Sequence, residues 1–446
     1  MDTKSNTTDT ALDRSLGPLM LWGLGVGYVI SGMYFGWNLG LPAGGTLGLA
    51  IATGFVIVMY VTFVFGYTEL ACAIPKAGGA FDYSLRALGP SWGFLGGIAQ
   101  IVEFVFAPPA IAFAIGAYVN NLYPTSNILV TAIAAYVIFT GLNILGVKWA
   151  ARFELWITIF AVAELLVFAG VSMPYFKAEH LAIDAFPNGI PGIFAAIPFA
   201  LWFFLAIEGV ANVAEETINP QRNVVLGFSS AIATLVFLCV LTFTTSVGVG
   251  GWEMIVYPEG ESTASDSPLP LALGAIYGQE HVLYKMLIGI GVGGLIASFH
   301  GIILAAGRAT FEFGRVGYAP KALGRVHAKF RTPATALVVN MGIGILALFT
   351  GKTGDIIILA CFGALSLYII STVSLLVLRK KEPELERPFK TPFYPITPIL
   401  ALSIASTALL AMSVYNPLLA LIYYGILGAA FLWFKLFVEK AASNNI

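Results

Sequence analysis

Glu103, Glu164 and Glu208 each stand inside a long apolar stretch of chain, and His300 stands in another. A charged group at bilayer depth costs on the order of 3 kcal/mol, so each of the four is a candidate for function. A carboxylate there can hold an alkylammonium group through a charge-assisted hydrogen bond. It can also load and release a proton, or sit protonated against a neighbouring helix. A histidine at that depth is either a proton relay or a strut between helices. Trp202 lies mid-stretch as well, where an indole face either holds a small cation or simply packs. Tyr28 and Tyr34 flank Ser31-Gly32, and Ser31 offers a hydroxyl to a polar ligand.

No other residues form a reactive cluster in the sequence. The four histidines, His180, His281, His300 and His327, are scattered, and neither H-x-x-x-H nor G-x-S-x-G occurs. No metal site, nucleophile or cofactor is expected, and the enzyme class is a remote alternative. Gly23, Gly25 and Gly27 follow no strand and precede no Lys-Ser/Thr, so they are no phosphate loop. Cys72, Cys239 and Cys361 are odd in number and lie in apolar runs, which is no disulfide framework.

These residues are positioned by a chain that is 58% hydrophobic and 11% charged over 446 residues. Soluble domains carry about 25% charged residues, so this composition belongs in a membrane. Apolar stretches near residues 18–40, 46–72, 91–119, 128–147, 153–173, 193–214, 225–249, 284–307, 333–350, 355–378, 395–415 and 417–434 are each read as a crossing of ~30 Å of hydrocarbon. The expected fold is an all-α integral membrane protein with twelve transmembrane helices. An even count puts both termini on one side. All but three of the 23 basic residues, Lys177, Lys285 and Lys352, then fall on that side, which the positive-inside rule makes cytoplasmic. The polar first 17 residues lead into no cleavage site, so no removable signal peptide is expected. A net charge of −1 with no basic stripe excludes a nucleic-acid partner.

The first and sixth stretches are interrupted by glycine and polar residues: Gly23 to Gly27 and then Ser31-Gly32 in one, Ala206 to Gly209 in the other. Each opens a five-span set, and the two sets enter from opposite sides. Matched breaks in two such halves point to a midplane substrate site in an inverted repeat; close helix packing is the plainer use of glycine. The expected layout is a tail at 1–17, repeats at 18–173 and 193–378, two accessory spans at 395–434, and a tail at 435–446.

Four strings resemble the amino acid/polyamine/organocation transporter superfamily: Tyr67-Thr-Glu69-Leu with Pro75-Lys-Ala-Gly78-Gly79, Leu142-Asn143-Ile-Leu-Gly146, Ala214-Glu215-Glu216 with Asn219-Pro220, and Ala306-Gly307-Arg308 with Gly314-Arg-Val-Gly. The resemblance implies the five-plus-five inverted-repeat fold, discontinuous spans 1 and 6, and alternating access. Trp22 through Asn38, with Ala99-Gln-Ile-Val-Glu103 and Pro108-Pro109, resembles the bacterial ethanolamine permeases. That implies a small ammonium substrate, a multi-pass place in the cell (inner) membrane among lipid, and a proton as possible co-substrate. A permease for amino acids or other small amines is the rival. Amino-acid transporters of this fold usually carry a Gly-Ser-Gly-like triplet that cradles a carboxylate, whereas this chain reads Ser31-Gly32-Met33.

Gln100, Glu103 and Ala107 share a helical face, which the resemblance turns toward substrate. Substrate contacts are therefore expected from Tyr28, Ser31, Gly32, Glu103, Trp202 and Ala206. Coupling or gating is expected from Glu164, Glu208, His300 and Glu69. Glu164 lies ~15 Å beyond Glu154 along its helix, at a position that is lysine in several proton-coupled relatives; a static, hydrogen-bonded carboxyl is the alternative. Ser298 near His300 lacks the second hydroxyl that a sodium site of this fold would use.

Overall fold

The computed structural model describes residues 14–76, 78–146 and 150–439. Lys4, Lys148 and Lys440 of the charge count, and most of both tails, lie outside them. Among the described residues the chain is helical with no strand. Its helices are α1 (Pro18–Val29), α2 (Ser31–Tyr34), α3 (Leu41–Ala73), α4 (Ala80–Leu88), α5 (Pro90–Leu122), α6 (Ile128–Leu145), α7 (Ala150–Ser172) and α8 (Gly189–Trp202). A 3-10 stretch, Ile207–Glu216, follows. Then come α9 (Pro220–Gly250), α10 (Trp252–Val256), α11 (Pro268–Tyr277), α12 (Val282–Arg315), α13 (Ala334–Leu348), α14 (Thr353–Lys381), α15 (Ile396–Tyr415) and α16 (Pro417–Trp433). Helices prevail because backbone groups in hydrocarbon must be satisfied within their own segment.

Ten helical segments among the described residues are long and apolar enough to cross a membrane. The apolar stretches at 18–40 and 333–350 fold differently, since α1 and α13 are shorter than that. Each of the twelve stretches nevertheless lies on a helix. The structure adds α4, α10 and α11, too short or too polar to register as apolar runs. α5 and α14 are buried along most of their length, while α6, α15 and α16 turn large side chains such as Val137, Leu410 and Leu421 outward. That outward apolar surface suits lipid, not water.

Both interruptions exist, and the first is confined to the later part of the expected region, around Ser31-Gly32. Gly23, Gly25 and Gly27 are helical in α1, each pressed by a neighbouring helix. The break comes later: Phe35 is extended and Gly36 takes φ +87, a conformation that side chains with a Cβ resist. Glycine at 23–27 is thus packing, and the interruption lies at 30–36. In the sixth stretch α8 stops at Trp202, and Ala206 takes φ +76 before the 3-10 stretch begins.

Candidate functional site

The two breaks touch. A Cβ at Gly32 would lie 2.4 Å from the Trp202 carbonyl oxygen, so only glycine lets α2 rest on the end of α8. Gly36 lies on the indole of Trp202 in the same way, and Phe35 meets that ring edge-on at 5.4 Å. Tyr28, Val29, Ser31, Ala107, Trp202, Leu205 and Ile302 line a slit between the breaks that has no water-sized space. The expected contacts Tyr28, Ser31 and Trp202 are therefore together, with Gly32 and Ala206 as the backbone that shapes the slit. Trp202 Nε1 is buried without a hydrogen-bond partner.

The amides beside this slit are occupied. Ser31 N–H donates to Ser298 Oγ at 2.9 Å, and that hydroxyl donates to the Gly27 carbonyl at 2.6 Å. Met33 N–H donates to the Ile30 carbonyl at 2.9 Å. Two of the three amides that could hold a carboxylate are thus engaged locally.

Glu103 lies one helical turn before Ala107 on α5 and is wholly buried, as is Glu208. Their carboxyls face each other beside the Ala206 backbone. Glu208 Oε2 accepts from the Tyr368 hydroxyl at 3.0 Å, and the Tyr60 hydroxyl lies 3.0 Å from that of Tyr368. Beyond each other and the Ala206 backbone, both Glu103 oxygens and Glu208 Oε1 have no further hydrogen-bond partner. Among the described residues neither carboxyl has a cationic side chain beside it. Gly363 of α14 backs the pair, since a Cβ there would come within 2.7 Å of Glu103 N. Such a pair can hold one ammonium group between two acceptors.

The remaining candidates are dispersed. Glu164 Oε2 accepts from the Tyr34 hydroxyl at 2.6 Å, which makes Tyr34 a strut on α7 and not part of the slit lining. Glu69 is fully engaged: Arg379 binds both oxygens at 2.7 Å, Arg387 lies at 3.2 Å, and Thr391 donates its N–H and hydroxyl at 2.7 Å each. That clasp ties α3 to α14 and to the segment leading into α15. His300 Nδ1 lies 3.6 Å from Glu154 Oε2. Glu154 marked only the edge of a span in the sequence, yet it is 2% exposed and both its oxygens lack hydrogen bonds. The signal for it was the periodicity of α7: Glu154, Thr158, Ala161, Leu165 and Phe168 are all buried at helical spacing. No group of three metal-ligating side chains occurs among the described residues.

A sequence profile described as "Amino acid permease" matches residues 16–434. Similar proteins include an uncharacterized transporter of Rhizobium meliloti (strain 1021), 27% identical over 90% of this chain and 86% of the relative. A methylthioribose transporter of Bacillus subtilis (strain 168) is 28% identical over 88% of this chain and 87% of its own length. A branched-chain amino acid permease of the same organism is 27% identical over the same shares.

Proposed function

The chain therefore belongs to the amino acid permease family, and we propose that it is a secondary transporter importing ethanolamine, or a close amino alcohol, by alternating access. Relatives carry names as different as methylthioribose and branched-chain amino acid, so the substrate must be read from the site. The observation that carries the reading is the facing carboxyls of Glu103 and Glu208, buried with no cation beside them. An ammonium group between them gains charge-assisted bonds in a low-dielectric setting. The Trp202 indole, with its free Nε1, adds a ring face and a donor for the substrate hydroxyl.

An amino-acid substrate would add a carboxylate, and the engaged amides of Ser31 and Met33 leave it little to bind. The acid pair would also repel it. In this reading residues 18–173 and 193–378 are two inverted five-span sets, their opening members broken at 30–36 and 203–206. The helices at 395–434 are accessory, and both termini face the cytoplasm of a cell whose inner membrane holds the chain. Opening of the slit at one end or the other admits substrate. A membrane potential of ~100 mV supplies about 2.3 kcal/mol per charge toward uptake of a cation.

Uptake of radiolabelled ethanolamine into proteoliposomes tests this. The reading expects saturable entry, faster with a negative interior and suppressed by excess unlabelled propanolamine. Label that enters protein-containing vesicles no faster than protein-free ones would contradict it.

A further inference from the structure

Among the described residues Glu154 is a buried acid outside the substrate pair whose nearest polar partner is an imidazole, that of His300. It sits where α1, α7 and α12 converge. Its carboxyl fills the room left by two glycines: a Cβ at Gly27 of α1 would lie 2.7 Å from Oε1, and one at Gly301 of α12 would lie 3.3 Å from it. Beside it Thr158 turns its hydroxyl away to the Gly23 carbonyl at 3.2 Å. His300 follows on α12, 5% exposed, with Nδ1 at 3.6 Å from Oε2. That distance is too long for a hydrogen bond and short enough to become one with a small ring rotation.

We propose that Glu154 and His300 form the proton-binding site that couples transport to a proton gradient, a role distinct from the substrate acids Glu103 and Glu208. The inference rests on the transporter reading but not on which amine is carried. The co-reactant is the proton itself: it bonds to a Glu154 oxygen or to His300 Nδ1, passes between them, and leaves on the other side of the membrane, with no other bond changed. Two titratable or charged neighbours of the pair stand out among the described residues. α1 contributes the Tyr28 hydroxyl; farther along α12 stands Arg308, neutralised by Glu216 of the 3-10 stretch at 2.9 Å. α6 presents the uncharged Asn143, whose Nδ2 donates to the His300 carbonyl at 3.3 Å. Phe139 and Phe153 flank the imidazole edge-on.

Its position makes the pair a coupling element. Gly27, against which the carboxyl rests, gives its carbonyl to Ser298, and Ser298 holds the Ser31 amide. The next residues along, Tyr28 on α1 and Ile302 on α12, line the substrate slit. A charge gained or lost at Glu154 therefore acts on the same α1–α12 contact that closes the slit.

The test uses full-length protein in proteoliposomes loaded with a pH-sensitive dye, with potential clamped by potassium and valinomycin and ethanolamine as probe. In the wild type an inward proton gradient should drive accumulation and acidify the interior. Glu154→Gln should keep exchange of internal for external substrate while both gradient-driven signals fall to the no-gradient level. Wild-type accumulation that follows a sodium gradient and ignores pH would overturn the proposal, as would a Glu154→Gln protein that still accumulates and acidifies like the wild type. If Glu154→Gln does not assemble, His300→Gln keeps the carboxyl and serves instead. Retained exchange with fewer protons per substrate supports the pair, and an unchanged ratio overturns it. Wild-type exchange of alanine but not ethanolamine would sink the substrate reading alone, and the proton arms would then be read with alanine.

Discussion

Three buried carboxyls of this bundle differ in what surrounds them, and the proposals above give them different work. Glu164 has a hydroxyl donor at 2.6 Å, Glu103 faces a second carboxyl, and Glu154 faces an imidazole. Glu103→Gln keeps the side-chain shape and removes the charge. Losing one partner of a desolvated pair costs about 3 kcal/mol or more, so ethanolamine affinity of the purified protein should fall by ~100-fold while its melting temperature without ligand holds or rises. Near-normal binding by calorimetry would place the ammonium elsewhere. Glu164→Gln can still accept from Tyr34 and should leave proton-driven uptake at the wild-type level; loss of coupling without loss of exchange in that variant would return the proton to Glu164.

At the scale of elements the two broken helices stand or fall together. Gly32→Ala would push a methyl into the Trp202 carbonyl, so it should abolish uptake and lower the melting temperature. Gly170→Ala in α7, with nothing within 4 Å of the added methyl, should do neither and serves as the control in the same detergent. Asp266, in the loop before α11, accepts from Thr353 at the start of α14 at 2.7 Å. Burial pushes its carboxyl up to about 6, against the opposing pull of that hydroxyl. The folded chain then binds a proton more tightly than the unfolded one, so stability from this group is present at low pH and is lost as pH rises from about 4 through about 6. Melting measured across that window should show the loss in wild type, and Asp266→Asn should flatten it. The apolar stretches were legible in the sequence because hydrocarbon imposes length and composition on whatever crosses it. In the first stretch Ser31-Gly32 falls within the observed interruption, whereas Gly23, Gly25 and Gly27 do not interrupt the helix because they serve helix contacts, and a glycine that packs cannot be told from one that bends until its neighbours are known. Short helices such as α4 and α11 carry no such length signal.

For the whole molecule, the family and the helical bundle were readable from the chain, whereas the meeting of distant residues was not. Glu103 and Glu208 lie on different helices and face each other only because the 3-10 stretch after α8 turns toward α5. Glu154 was hidden for a similar reason, since its neighbours Gly27, His300 and Gly301 come from the first and eighth apolar stretches. The clasp of Glu69 with Arg379 and Arg387 lies at the end of the bundle rich in basic residues. There residues 15 and 16 also pair with the backbone at 216–218, so an ion-pair cluster and main-chain bonds tie distant segments together at that end. The central claim is the proposal that the bundle encloses a site for an ammonium group and leaves a carboxylate few free amides. Serine is ethanolamine with a carboxylate added, so the two differ only in the group at issue. The most direct measurement is their competition against labelled ethanolamine exchange by wild-type proteoliposomes at fixed pH and zero potential. Serine should compete at least ~100-fold more weakly, about 2.7 kcal/mol; equal competition by serine would contradict the account.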